Sequence, residues 1–178
     1  MTDPLPTALV LASGRGERFL ASGGATHKLQ ALLDSKTVLQ HTMDAVRASG
    51  LPWHLEDAGH PGMGDSIAAA VRATSQAHGW LIVLGDLPLI QASTLRTLAH
   101  ALDLHDVVIP TYQGQRGHPV GFSTRCRESL LSLAGDKGAA SVVKLFGETE
   151  IPLDDIGIVS DIDTVADLER LNRWLRSI

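Results

Sequence analysis

The sequence predicts an α/β domain built on a largely parallel sheet. Apolar runs of strand length alternate with amphipathic, helix-like stretches, which is the pattern of strands joined by helical crossovers. Trp80–Leu84 is apolar without interruption, as expected for a strand buried on both faces. Gly50 and Gly79 stand just past two of the helical stretches, where a chain commonly stops its helix.

In chain order, Thr7 to Ala12 reads as the first strand. Thr37 to Ser49 reads as a helix whose Val38, Leu39, Thr42, Ala45 and Val46 share a face. Between Gly50 and Gly64 the pattern thins to one short strand at most, in a loop-rich stretch of the kind that carries ligands. Ser66 to His78 is a second helix, followed by the strand Trp80 to Leu84. Ser93 to Leu104 is a third helix with Ser93 as its N-cap. Asp106 to Pro110 and Pro119 to Ser123 read as strands. Thr124 to Leu133 and Gly138 to Phe146 read as short helices around a Gly135-Asp136-Lys137-Gly138 turn. Strands at Glu150 to Leu153 and Ile158 to Ile162 precede a last helix, Val165 to Arg176.

The 178 residues suffice for one domain with a sizeable core, over residues 1–178. A net charge of −5 argues against an extended nucleic-acid surface, which needs a basic face. Cys126 is the sole cysteine, which excludes an intramolecular disulfide and a Cys-based zinc cluster and leaves a small structural residue. No run approaches the ~18 apolar residues of a membrane span. Met1-Thr2-Asp3-Pro4 lacks the charged and apolar segments of a signal peptide, so the cytoplasm is the expected compartment.

Chemistry concentrates at a few points. Ala8-Leu9-Val10-Leu11 runs straight into Ala12-Ser13-Gly14-Arg15-Gly16-Glu17-Arg18-Phe19, and Lys28 follows. A strand that stops at glycines lets backbone N–H groups face a ligand without Cβ atoms in the way. Such a turn with nearby Arg and Lys suits phosphate, so a nucleotide is the first ligand to consider. Gly85-Asp86-Leu87-Pro88 follows the buried strand, and a carboxylate at that end faces the crevice where open sheets bind ligands. It suits Mg²⁺, which takes one or two protein carboxylates; a turn aspartate is the competing role. The alternation of Asp161-Ile162-Asp163-Thr164 puts Asp161 and Asp163 on one face, with helix capping by Asp163 or Thr164 as the alternative. Gly62-Met63-Gly64-Asp65-Ser66 opens a helix at glycines, a place for an anion or a base edge or for plain capping. His118, within Arg116-Gly117-His118-Pro119, could meet a second substrate or sit in a turn; the other histidines show no metal-binding spacing.

With these residues in view, the chain resembles the nucleotidyltransferases that attach a nucleoside monophosphate to the molybdenum pterin cofactor, most of all their cytidylyltransferase branch. The resemblance rests on Leu11-Ala12-Ser13-Gly14, Arg18-Phe19 and Lys28-Leu29. It continues through Gly-Met-Gly-x-Ser, Gly-Asp-x-Pro, Gly-His-Pro and Asp-Ile-Asp-Thr, in the family's order and over nearly the whole chain. It implies a Rossmann-like, three-layer α/β/α fold with a mostly parallel, partly mixed sheet, of nucleotide-diphospho-sugar transferase type. It implies that Leu11, Ala12, Ser13 and Gly14 hold the nucleotide, with Gly64 and Ser66 lining its pocket. Arg18 and Lys28 would neutralise the triphosphate, Asp86 with Asp163 or Asp161 would bind Mg²⁺, and Arg116 and His118 would face a pterin-type acceptor. A molybdoenzyme would then receive the product.

Four departures shape the expectations. The Arg18–Lys28 spacing is long, so the loop Ala21 to His27 is expected to be mobile or Lys28 displaced. Ser13 stands where alanine accompanies CTP and glycine accompanies GTP, which leaves the base open; the cytidylyltransferase-like branch favours CTP, with GTP possible. The stretch Gly50 to Gly64 lacks a strand–helix–strand, which should trim one edge of the sheet. Ala140 stands where an arginine often occurs, which points to a different acceptor. The expected activity is Mg²⁺-dependent transfer from an NTP to molybdopterin with release of pyrophosphate. The alternatives are another phosphorylated acceptor, or a nucleotide- or pterin-binding accessory protein without catalysis.

Overall fold

Residues 4–178 are described by a computed structural model, and the Met1–Asp3 read above for a leader lie outside them. The chain begins with a fully buried strand, Thr7–Leu11 (β1), and turns through the glycine loop into a short helix, Glu17–Ala21 (α1). A single 3₁₀ turn, Lys28–Gln30, leads to a two-residue ribbon of Leu32–Leu33 (β2) and Lys36–Thr37 (β3). Then come Val38–Ala48 (α2), Trp53–Glu56 (β4), Met63–Ala73 (α3), Trp80–Leu84 (β5) and Ala92–Ala101 (α4). The second half holds Val107–Tyr112 (β6), Gln115–Arg116 (β7), Val120–Phe122 (β8), Arg127–Leu131 (α5) and Ala140–Phe146 (α6). Thr149–Pro152 (β9), a 3₁₀ turn at Ile156–Val159 and Val165–Ser177 (α7) complete it.

The main sheet runs β4-β1-β5-β8-β6-β7, with β9 also on β6. Its β1–β4, β1–β5 and β6–β9 pairs are parallel, and β8 is antiparallel to both its neighbours, so the sheet is mixed. Side-chain alternation sends Ala8 and Val10 of β1 to one face, under Met43 and Val46 of α2 and Leu95 and Leu98 of α4. Leu9 and Leu11 face the other way, against Ile67 and Val71 of α3, Leu130 of α5 and Val142 of α6. The result is the expected three layers. On one side the sheet ends at β4, the single strand of the thin stretch, which is the trimmed edge.

Local signals set most elements. The hydroxyl of Thr37 accepts from the Gln40 N–H while Gln40 reaches back to the Thr37 N–H, a capping box that opens α2 where the sequence predicts it. Elsewhere long-range contacts override the local reading. The third helix starts at Ala92, not Ser93, and its cap comes from far away in sequence. Buried Asp155 accepts from the Gln91 N–H at 3.0 Å and from the Thr94 hydroxyl at 2.6 Å, and its other oxygen accepts from Gly157 N–H at 2.8 Å. The helix predicted for Ser66 to His78 covers Met63–Ala73, shifted towards the N-terminus. The strand predicted for Ile158 to Ile162 does not form. There the backbone of Gly157 lies against that of Leu89 and Ile90, so closely that a Cβ would come within 2.3 Å of the Leu89 carbonyl. The segment therefore turns as a 3₁₀ helix and does not extend along the sheet.

A third apolar cluster lies outside the two main layers. Phe19, Leu29, Ala31, Leu33 and Val38 pack there with Ile162 and Leu171 of the last segment. It fastens the long loop after the first strand to the end of the chain. Buried Cys126 has its thiol pushed up to about 11 by burial, which fits a structural residue.

Replacing Asp155 by Ala leaves two N–H groups and one hydroxyl without their acceptor. Urea unfolding should show a loss of about 2–4 kcal/mol; a variant as stable as the parent would refute this cap.

Candidate active site

Asp86 sits just beyond the carboxyl end of β5, and its backbone is pinned on both sides. The Gly85 N–H donates to Leu11 O at 3.0 Å, the Gly85 carbonyl accepts from the Thr42 hydroxyl at 2.8 Å, and the Asp86 carbonyl accepts from Ile162 N–H at 3.2 Å. The last of these bonds brings the Asp161–Asp163 segment beside Asp86 without a strand. Thr164 caps α7 in a capping box with Asp167, whose carboxylate also accepts from the Asp163 N–H. The carboxylate of Asp163 is thereby left to face the site.

Lys28 joins the two acids. Its Nζ donates to Asp86 Oδ2 at 2.7 Å and lies 3.5 Å from Asp163 Oδ1, while Arg18 donates to Asp163 Oδ2 at 2.7 Å. The Lys28 and Asp86 side chains are only 16% and 11% exposed, so this pair is shielded from water. By contrast the Arg18 side chain is 80% exposed and its pair is a weak surface contact. Burial pulls the Lys28 ammonium down, but Asp86 and then Asp163 outweigh it and raise its pKa above the ordinary value. Burial also pushes the Asp86 carboxyl up against the pull of Lys28. Removing one partner of such a pair leaves an uncompensated buried charge, at a cost of about 3–5 kcal/mol.

The long Arg18–Lys28 loop neither displaces Lys28 nor leaves it unsupported. His27 Nε2–H donates to Gly14 O at 2.5 Å and its Nδ1 accepts from Leu29 N–H at 3.2 Å. One ring nitrogen donates and the other accepts, which fixes the tautomer and ties the loop back onto the glycine turn. Gly16 in that turn has φ of 65°, a left-handed conformation suited to glycine. The sequence reading missed His27; its position next to Lys28 was the only available signal.

These residues line a cavity of about 540 Å³ that holds Leu11, Ser13, Gly14, Arg18, Lys28, Ser66, Asp86 and Asp163 together. Arg15 and His60, neither of them a sequence-predicted site residue, also line it. The hydroxyls of Ser13 and Ser66 lie 2.7 Å apart and join the loop to α3. Three of the predicted nucleotide and metal residues are not on its wall. Ala12 donates its N–H to Glu56 O inside the sheet. Gly64 donates to Gly135 O, and a Cβ there would come within 2.9 Å of Ala134 and Lys137 backbone. Its glycine serves the close approach of the 134–138 turn, while Gly62 and Met63 face the cavity instead. Asp161 is exposed and makes no side-chain hydrogen bond among the described residues, although its charge acts on Asp86.

Arg116 and His118 line a second cavity of about 570 Å³, which shares Met63 and Leu84 with the first. Its walls are mostly apolar, among them Ile67, Ile82, Ile109, Val120 and Phe122. Arg116 is engaged by Glu150 at 2.7 Å and Glu148 at 2.6 Å. His118 is held low in pKa by burial, opposed by the charges of Asp86 and Asp161, so its imidazole is neutral at physiological pH.

The site also suits a divalent cation. Asp86 Oδ1 is buried and has no hydrogen-bond partner, and Asp163 stands across the same ammonium. Among the described residues no three His, Cys, Asp or Glu side chains form a metal cage. The donor set is therefore two carboxylates, which matches an ion that keeps water and phosphate oxygens in its shell.

With this geometry in place, comparison with known proteins gives a direct answer. The model of the MobA-like NTP transferase domain matches residues 43–151. The chain belongs to the MobA-like NTP transferase family. It is 26% identical to the purine catabolism protein PucB of Bacillus subtilis, over 97% of this chain and 98% of that protein. The crystal structure of Rv0371c from Mycobacterium tuberculosis superposes with a TM-score of 0.80 at 25% identity, covering 97% of this chain and 100% of that one. A manganese complex of Rv0371c also superposes, with a TM-score of 0.75 at 24% identity, over 95% of this chain and 98% of that one. Molybdopterin-guanine dinucleotide biosynthesis protein A of Archaeoglobus fulgidus shares the fold at 15% identity, with a TM-score of 0.71 over 97% of this chain and 100% of that one. No described helix is long and apolar enough to cross a membrane.

The pair geometry has a measurable consequence. Replacing Lys28 by Gln removes the charge that opposes burial at Asp86. Carbon-13 NMR of the Asp86 carboxyl should then show it titrating at higher pH than in the parent; an unchanged midpoint would contradict the pairing.

Proposed function

We propose that this protein transfers a nucleoside monophosphate from an NTP, with CTP favoured over GTP, to a pterin-type acceptor such as molybdopterin, releasing pyrophosphate. The observation that carries this reading is the Lys28 ammonium, held by Asp86 and Asp163 and facing the glycine turn in one cavity. Family membership supports the reaction class, and the name of the Archaeoglobus relative supports a pterin acceptor.

Each residue then has a role. The Ser13–Gly16 turn receives phosphate oxygens with its backbone, and Arg15, Arg18 and Lys28 neutralise their charge as it grows on the leaving pyrophosphate. Asp86 and Asp163 would hold Mg²⁺, which when bound supplies Lewis-acid stabilisation of phosphate oxygens. The acceptor phosphate is ionised at neutral pH, so no side chain needs to remove a proton. Neutral His118, on the wall of the second cavity, offers a hydrogen bond without adding charge. The apolar second cavity suits a flat ring system, and its junction with the first at Met63 and Leu84 lets acceptor and nucleotide meet in line.

One observation favours a second reading, a nucleotidyltransferase with another acceptor. Arg116 is already committed to Glu148 and Glu150 and offers no free charge to an acceptor phosphate.

Asp86→Asn should keep the fold by circular dichroism while turnover falls by roughly 10²–10³-fold, the scale for loss of a charge-stabilising group. The assay is pyrophosphate release from CTP, GTP or ATP with Mg²⁺ and molybdopterin. Near-normal release by the variant would overturn the assignment.

A further inference from the structure

The two acids of the site already hold a cationic partner before any ligand arrives. Asp86 and Asp163 face Lys28 and Arg18, two negative groups against two positive ones. Asp86 keeps one oxygen without a partner, Oδ1, but both oxygens of Asp163 are engaged, Oδ1 by Lys28 and Oδ2 by Arg18. A dication shared by the two acids would sit beside an ammonium that already touches both carboxylates, and the like charges repel. Lys28 is the stronger obstacle, because it alone touches both acids and is largely buried, whereas Arg18 is mostly in water.

We propose that in the nucleotide-free protein the Lys28 ammonium is the stand-in cation of the Asp86–Asp163 pair. A divalent metal and Lys28 then compete for the same carboxylates, and a polyphosphate opens the metal site by drawing Lys28 away. The loop geometry suits such movement. Lys28 lies in a single 3₁₀ turn, one residue from the His27 tether to Gly14. Binding of polyphosphate and metal becomes mutually reinforcing, since each is favoured once Lys28 has moved to phosphate. The protein with metal alone is the disfavoured state. The identity of the incoming ions rests on the nucleotidyl-transfer reading. The competition itself is tested with metal alone, so its failure is separable from failure of transfer.

The experiment titrates nucleotide-free protein with Mn²⁺ at mildly alkaline pH and reads the free ion by electron paramagnetic resonance. Lys28→Met keeps the apolar stem and removes the charge. It should bind Mn²⁺ at least roughly tenfold more tightly than the parent, the size of one charge-assisted hydrogen bond that no longer has to be broken. The double variant Lys28→Met/Asp163→Asn should lose that gain. Equal or weaker binding by Lys28→Met overturns the proposal, and so does a gain that survives loss of Asp163. Should Lys28→Met not fold, the parent protein decides. Its Lys28 Nζ resonance, followed by nitrogen-15 NMR without nucleotide, should shift when Mg²⁺ saturates the site; an unmoved resonance overturns the proposal.

Discussion

Two carboxylates from distant parts of the chain meet on one ammonium, and the arrangement of the site follows from the need to hold that meeting. Asp86 is fixed by the sheet, Lys28 by the long loop, and Asp163 by the approach to the last helix. Each charged residue stands beside a buried apolar one: Arg18 by Phe19, Lys28 by Leu29, Asp86 by Leu87 and Asp163 by Ile162. Three of those anchors, Phe19, Leu29 and Ile162, belong to the same small cluster. Apolar burial thus does the positioning that the charges, with their desolvation cost, cannot do for themselves.

This arrangement also accounts for the placement of the two cavities. The β8 strand runs antiparallel between β5 and β6, and the turn before it carries Arg116 and His118 to the second cavity. Gly117 lets that turn lie against the Ile158 carbonyl, where a Cβ would come within 2.2 Å. A polar cavity under the glycine turn and an apolar one under α6 are therefore neighbours sharing a wall.

Much of this was legible in the sequence where the signal is local. The buried strand Trp80–Leu84, the α2 helix with its Thr37 cap, and the glycine turn after the first strand are each encoded in a few adjacent residues. So were Asp86, Lys28, Ser66 and Asp163 as members of one site. Illegible parts depend on partners far along the chain. Nothing near Gln91 announces that Asp155 caps the next helix. The run Ile158–Ile162 reads as a strand in the sequence, yet Gly157 must lie against Leu89 and the chain turns there instead. Gly64 looked like a ligand contact, while it admits the Ala134 and Lys137 backbone. His27 had no pattern to betray it, because its hydrogen bond to Gly14 spans the very loop whose length suggested disorder.

The central claim is that Asp86 and Asp163 form one cation-binding locus beside the glycine turn. The most direct test is a crystal structure with Mn²⁺ and a non-hydrolysable CTP analogue, with the metal located by its anomalous scattering. The account predicts one peak touching both carboxylates, with Lys28 turned onto the phosphates. A peak touching neither acid, or a nucleotide bound away from the Ser13–Gly16 turn, would contradict it.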